Sequence, residues 1–142
     1  MTDPRTARVG RLRAALDGMD LGVLLVTSLP NIRWLTGFSG SAGVVVVGPQ
    51  RVTLVTDFRY ASQAPAEVGD AADVVIASTS VWQEVEQAIK GATGGVFGFE
   101  GHLATVQECS RFERMGPGGA VPVYELIEAL RQVKDDTEIE AI

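Results

Sequence analysis

Asp57, Phe58, Arg59 and Tyr60 set an acid, an aromatic ring, a guanidinium and a phenol in four consecutive positions, directly after the β-prone stretch Val52-Thr53-Leu54-Val55-Thr56. Such a group has two readings. It is a solvated strand end with Tyr60 over the core, or a platform of hydrogen-bond donors facing a cleft at the end of a sheet. Upstream, Gly37-Phe38-Ser39-Gly40-Ser41-Ala42-Gly43 runs into four valines. A Walker-type phosphate loop needs Lys and then Ser or Thr after its last glycine, opening a helix. A dinucleotide fingerprint spaces its glycines two and then three apart, again before a helix. Here Gly37, Gly40 and Gly43 are three apart each time, and the β-branched residues that follow favour a strand. Without a helix N-terminus no dipole holds an anion. The loop reads as a tight strand entry, either a plain connection or a place where another surface approaches closely.

The remaining chemistry-bearing residues do not form a catalytic set. His102 is the only histidine, with no second histidine or cysteine pair at zinc-ligand spacing, so it reads as structural or surface. Cys109 is the only cysteine and sits at core spacing on a predicted helix, where a small buried hydrophobe is the simpler account. Asp70 with Asp73 and Asp135 with Asp136 lack the supporting ligands of a two-metal site. The serines of the glycine loop have no base nearby in sequence, and the nucleophile-elbow pattern is unmatched. No catalytic residue and no metal ligand is assigned within the 142 residues.

The elements that must position these groups follow from hydrophobic periodicity. Asp3 and Pro4 open a helix whose apolar face is Val9, Leu12, Leu16 and Met19, closed by Gly18 and Asp20. Residues 21–26 form a short strand, 30–40 a connection carrying Trp34 and Phe38, and 43–47 with 52–56 an antiparallel hairpin around Gly48-Pro49-Gln50-Arg51. A short helix over 60–68, a strand at 73–77 and a helix opened by Ser80 and Gln83 come next. That helix carries Val81, Val85 and Ile89 on one face. A strand at 94–100 leads to a helix over 105–115 with Val106, Cys109 and Phe112 inward. A strand at 121–124 precedes a last helix bearing Leu126, Ile127, Leu130 and Val133. Strands alternating with helices after an early hairpin predict an α/β fold with a mixed β-sheet flanked by helices. A hairpin brings its two ends together, so 40–43 and 56–60 share one edge of the sheet. That makes Phe38, Ser41, Asp57, Arg59 and Tyr60 the candidate substrate-cleft or interface set.

Bulk composition bounds the partners. The chain is 46% apolar and 21% charged with a net charge of −6, an ordinary globular mix that supports a single core. An acidic surface repels phosphate backbones, so no nucleic acid is expected. The N-terminal stretch lacks the apolar core of a signal peptide, and no run reaches membrane-spanning length, so no membrane partner and a cytoplasmic location are expected. At the other end, Asp135 with Glu138 and Thr137 with Glu140 are capping-box pairs that begin a helix only residues before Ile142. An isolated helix so short is marginal. The stretch is either a frayed tail or, the preferred reading, the front of something longer.

Three segments in order resemble a known family: Asn31-Ile32-Arg33-Trp34-Leu35-Thr36-Gly37-Phe38-Ser39-Gly40-Ser41-Ala42-Gly43, then Thr56-Asp57-Phe58-Arg59-Tyr60 with Gln63-Ala64, then Arg131-Gln132-Val133-Lys134-Asp135-Asp136-Thr137-Glu138-Ile139-Glu140. They resemble the N-terminal, creatinase-type domain of Xaa-Pro aminopeptidases and prolidases, with Trp34 in place of the usual Tyr and Phe58 in place of the Gly of a DGRY pattern. The resemblance implies a ribonuclease H-like α/β fold over residues 1–134, and 135–142 leading into a catalytic pita-bread domain. That domain holds two divalent metals, manganese or cobalt, on Asp, Asp, His, Glu and Glu ligands outside this chain, and a metal-bridging hydroxide attacks the carbonyl before proline. It further implies a non-catalytic role here, shaping the cleft for Xaa-Pro peptides, with the chain's own catalytic domain and a second subunit as partners. The same fold serves in non-catalytic binding proteins such as a histone chaperone subunit and in creatinase-like enzymes, which are the competing readings.

Overall fold

The computed structural model describes residues 3–133. Helix α1 (Pro4–Asp17) starts as the sequence dictates, with Asp3 as N-cap accepting from the Arg5 backbone N–H and Pro4 in the first turn. Strand β1 (Leu24–Val26) follows, then α2 (Leu29–Thr36), β2 (Val44–Val47) and β3 (Val52–Asp57). A 3-10 turn over Phe58–Tyr60 leads to α3 (Gln63–Val68), a second 3-10 turn (Gly69–Ala71), β4 (Asp73–Ala77), α4 (Val81–Ala92), β5 (Phe97–Glu100), α5 (Val106–Glu113), β6 (Ala120–Val123) and α6 (Leu126–Arg131).

One six-stranded sheet has the order β4-β3-β2-β1-β5-β6. β2 runs antiparallel to both β1 and β3, while β3–β4, β1–β5 and β5–β6 are parallel. Five strands therefore point one way and only β2 opposes them. The predicted mixed sheet with helices on both faces is the fold of the chain. Side-chain alternation divides the core in two. Leu24, Val45 and Val47 point toward α1, α2, α3 and α6, with Leu12, Leu16, Ile32, Leu35 and Ile127. Leu25, Val44 and Val46 point toward α4 and α5, with Val85, Ile89 and Phe112. With both faces covered, β2 is buried at every position, which is why it reads as an unbroken valine run.

Several expectations are corrected. Residues 30–40 are not a plain connection, because α2 occupies most of them. Ser28 caps its N-terminus, Pro30 sits in its first turn and Gly37 closes it at φ +85°; cap, proline and terminal glycine are helix signals that an eight-residue segment hides. The helix expected at 60–68 splits into the 3-10 turn and α3. Val106 is not inward but 85% exposed, since it is the first residue after the Thr105 cap. Met19 lies past the end of α1 and is 48% exposed, and Val133 lies past α6 and is 63% exposed. The C-terminal capping boxes at 135–140 lie outside the described residues.

One guanidinium ties three helices. Arg5, held by Asp3, donates from Nη1 to the carbonyls of Thr36, Glu67 and Val68 at 2.6, 3.2 and 3.1 Å. These are C-terminal carbonyls of α2 and α3, which have no partner inside their own helices and carry the negative end of the dipole.

Candidate functional site

Because five strands are parallel, their carboxyl ends share one edge, and β2 begins there. Both polar groups of interest lie on that edge: a rim where β3 meets the glycine loop, and a knot where β1 and β5 meet α2 and α6.

The rim is built by the hairpin. Val44 pairs with Val55, and Thr56 Oγ1 donates to the Ala42 carbonyl at 2.6 Å. This sets Ser41 beside Tyr60: the Ser41 N–H donates to the Tyr60 hydroxyl at 3.0 Å, and the two hydroxyls are 2.5 Å apart. Phe38 meets Tyr60 edge to face at 5.2 Å. Phe38 is only 1% exposed, so it is a floor under Tyr60, and the accessible members of the predicted set are Ser41, Asp57, Arg59 and Tyr60. A Cβ on Gly40 would collide with the Phe38 and Tyr60 rings, and one on Gly43 would lie 3.0 Å from Phe38. The glycines thus make room for Phe38 rather than cradle a ligand. The loop is also pinned to α3, where Glu67 accepts from the Ser39 N–H at 2.9 Å and the Ser39 hydroxyl at 2.6 Å.

Electrostatics at the rim are local. Arg59 donates from Nε and Nη2 to the two Asp57 carboxylate oxygens at 2.9 Å each, and its guanidinium lies 5.3 Å from the Tyr60 ring centre. The guanidinium holds the Asp57 carboxyl below its usual range. Hydrogen bonds from Ser41 lower the Tyr60 phenol. Asp57 also caps the 3-10 turn by accepting from the Arg59 N–H. Phe58, 79% exposed, projects from the same turn. The rim offers a guanidinium and two hydroxyls on a preformed surface, without a nucleophile–base pair.

The knot was missed by sequence reasoning. Glu100, 5% exposed, accepts from the Thr27 and Ser28 N–H groups at 2.7 and 2.8 Å and from Asn31 Nδ2 at 2.7 Å. Asn31 Nδ2 also donates to Glu128 at 3.1 Å, and Asn31 Oδ1 accepts from Arg131 at 2.9 Å. His102 Nε2 meets the same Glu128 oxygen at 2.8 Å, while His102 Nδ1 accepts from the Glu125 N–H at 3.1 Å. Burial works against the imidazolium, but Glu128, with Glu100 and Glu125 beyond it, outweighs burial and raises the His102 pKa. Burial likewise opposes the Glu128 carboxylate, yet His102 and Asn31 hold its pKa below the ordinary value. The Glu125 N–H, given to Nδ1, favours the neutral ring; three nearby carboxylates outweigh that single donor.

Ligand atoms of Glu100, His102 and Glu128 lie within 4.8 Å of one another, which tests the knot as a metal centre. It does not fit one. Both Glu100 oxygens are taken by N–H donors and both His102 nitrogens are engaged, so that of the ligand atoms of these three residues only Glu128 Oε1 has no partner. Glu100 also occupies the place where open α/β sheets bind phosphate, the start of a helix at a strand's carboxyl end. The protein's own carboxylate sits there as a plug. Cys109 is half-buried against the α4–α5 side of the core.

This architecture has known counterparts. The Creatinase/Prolidase N-terminal domain family matches residues 8–133. The chain belongs to that family. Its motif residues Asn31 and Arg131, far apart in sequence, are hydrogen-bonded to each other in the knot. The domain is 29% identical over 95% of its length to the uncharacterized peptidase YqhT of Bacillus subtilis and spans 38% of that relative. Among solved structures it is similar to a Xaa-Pro dipeptidase from Bacillus anthracis, at TM-score 0.88 and 29% identity, covering 96% of this chain and 38% of that one. It is also similar to the N-terminal domain of the cytoplasmic peptidase PepQ from Mycobacterium tuberculosis, at TM-score 0.78 and 31% identity, covering 88% and 98%. The creatinase-type domain contains no helix among its described residues long and apolar enough to cross a membrane.

Proposed function

We propose that this chain is the non-catalytic N-terminal domain of a cytoplasmic, metal-dependent Xaa-Pro aminopeptidase. Residues 1–134 form the domain, and 135–142 lead into a catalytic pita-bread domain. The observation that carries this reading is the family match across 8–133 in a chain that spans 38% of peptidase relatives. The rim, with no nucleophile–base pair, and the knot, with both Glu100 oxygens held by N–H donors, both suit a supporting role. Two divalent metals, manganese or cobalt, belong to the domain that follows, where they supply an activated water. What this chain adds is position. Ser41, Asp57, Arg59 and Tyr60, over the Phe38 floor, wall the substrate cleft or the contact with a second subunit. Asp57 holds the Arg59 guanidinium in one orientation, from which it can meet a peptide carboxylate or carbonyl.

The test uses the intact polypeptide. Arg59→Ala and Tyr60→Phe are expected to leave its melting temperature nearly unchanged while kcat/KM for a Xaa-Pro peptide falls at least tenfold, about 1.4 kcal/mol of lost transition-state binding. Wild-type kinetics in both variants would reduce Arg59 to a surface ion pair with Asp57. The 1–142 chain alone is expected to hydrolyse no Xaa-Pro peptide; turnover resistant to chelator would sink the reading.

A further inference from the structure

Exposed apolar side chains scattered singly need no explanation. Here the topology gathers them. Of the eight large hydrophobic residues exposed among the described residues, Leu29, Phe58, Leu103, Val106 and Tyr124 all follow the carboxyl end of a strand. Those strands, β1, β3, β5 and β6, point the same way, so all five residues emerge on one edge. From β3 to β6 is four strand spacings, about 19 Å, a length that matches a protein surface rather than a small ligand.

The edge has two halves. Around β2 and β3 it is the polar rim, with Phe58 its exposed apolar side chain. Around β5 and β6 it carries Leu103, Val106 and Tyr124 at 49%, 85% and 67% exposure, bordered by the exposed Thr105, Gln107 and Glu125. This second half is preformed. The Leu103 and Ala104 N–H groups both return to the Glu100 carbonyl at 3.2 Å, and a Cβ on Gly101 would come within 3.0 Å of the Tyr124 ring. The knot fixes Glu125 to His102 immediately beside it.

We propose that Leu103, Val106 and Tyr124 form the docking face for the domain that follows in the same polypeptide. The inference rests on the two-domain reading above. Three observations select that occupant. The chain passes from Tyr124 directly into α6, a helix of six residues and so only about 9 Å long, and therefore leaves close to this face. The relatives continue for more than half of their length beyond what this domain spans. A partner tethered so near acts at a high effective concentration. A second copy would set another net charge of −6 against a face bordered by the exposed Glu125 carboxylate.

The experiment compares the 1–142 chain with the longer polypeptide, both carrying Cys109→Ser and a single cysteine at Val106→Cys or, separately, Leu103→Cys. A relative solved as its N-terminal domain alone supports the shorter form as a folded unit. Maleimide labelling of Val106→Cys is expected to be at least tenfold slower in the longer polypeptide at every protein concentration, while Lys90→Cys on α4 labels equally in both. Equal labelling at 103 and 106, or a gene product that stops at residue 142, overturns the proposal. Protection that disappears on dilution assigns the face to a second copy and overturns it as well. Protection in a polypeptide that hydrolyses no Xaa-Pro peptide would leave the docking face standing and remove the peptidase reading. Hydrolysis with unhindered labelling would do the reverse.

Discussion

The rim and the knot sit on the same edge of one sheet and use similar residue types, yet their environments are opposite. In the knot, Glu100 is 5% exposed and Asn31 0% exposed, and nearly every lone pair and N–H finds a partner from another element. In the rim, Arg59 and Asp57 keep 56% and 25% of their side-chain surfaces and bond mainly to sequence neighbours. Buried polar groups cost stability when a partner is removed, whereas exposed pairs contribute little. The knot therefore holds the domain together at the point where α6 leaves, and the rim is free to serve a ligand or partner.

The sharpest way to break that contrast is Glu100→Ala. It strands the Thr27 and Ser28 backbone N–H groups and takes one of the two acceptors from Asn31 Nδ2, so a loss of about 3 kcal/mol is expected, on the order of 10 °C in melting temperature. A shift below about 1 kcal/mol would place the knot in the same class as the rim. Gly40→Ala probes the boundary between packing and function. Its Cβ cannot fit under the Phe38 and Tyr60 rings, so a cost of about 2 kcal/mol is expected from overpacking, with a changed near-ultraviolet tyrosine signal. Tyr60→Phe removes only the Ser41 contacts and should lower the melting temperature of the 1–142 chain far less than Gly40→Ala does. Arg59→Ala should give a denaturant-unfolding midpoint indistinguishable from wild type, since its ion pair with Asp57 is exposed to solvent.

The smallest effect is the pH dependence of the knot. His102 is raised above its ordinary 6.5 in the fold, so its contribution is fully present below that pH and is lost as pH rises through the folded value. Glu128 is lowered below its ordinary 4.5, so its contribution is present above that pH and is lost as pH falls. Together they stabilise most between pH 4.5 and 6.5. Melting temperatures of wild type and His102→Gln measured from pH 4 to 9 should diverge most inside that window. A constant difference across the range would show that His102 titrates no more in the fold than in the unfolded chain.

The rim was legible in the sequence because it is local. Two strands joined by a short turn force residues 40–43 and 56–60 together whatever else the chain does, and Ser41 does meet Tyr60. The knot was not, because its bonded partners are separated by 23 to 100 positions and carry no spacing signal. Glu100 read as a strand end, and His102 as structural or surface. The one available hint was α2 itself: Ser28, Pro30 and Gly37 mark a helix, and a helix start at a strand's carboxyl end calls for an acceptor.

The sequence by itself determined the α/β class, the hairpin, most element positions, the exclusion of a phosphate-binding loop and the family resemblance, since periodicity, turn chemistry and motif order are properties of neighbours along the chain. Only the tertiary structure decided that Phe38 is a buried floor, that Glu100 plugs the place where an anion would bind, and that five apolar side chains line one edge. Those outcomes depend on the direction and order of six strands, which are fixed by how two hydrophobic layers close on both faces of the sheet and not by any local run of residues.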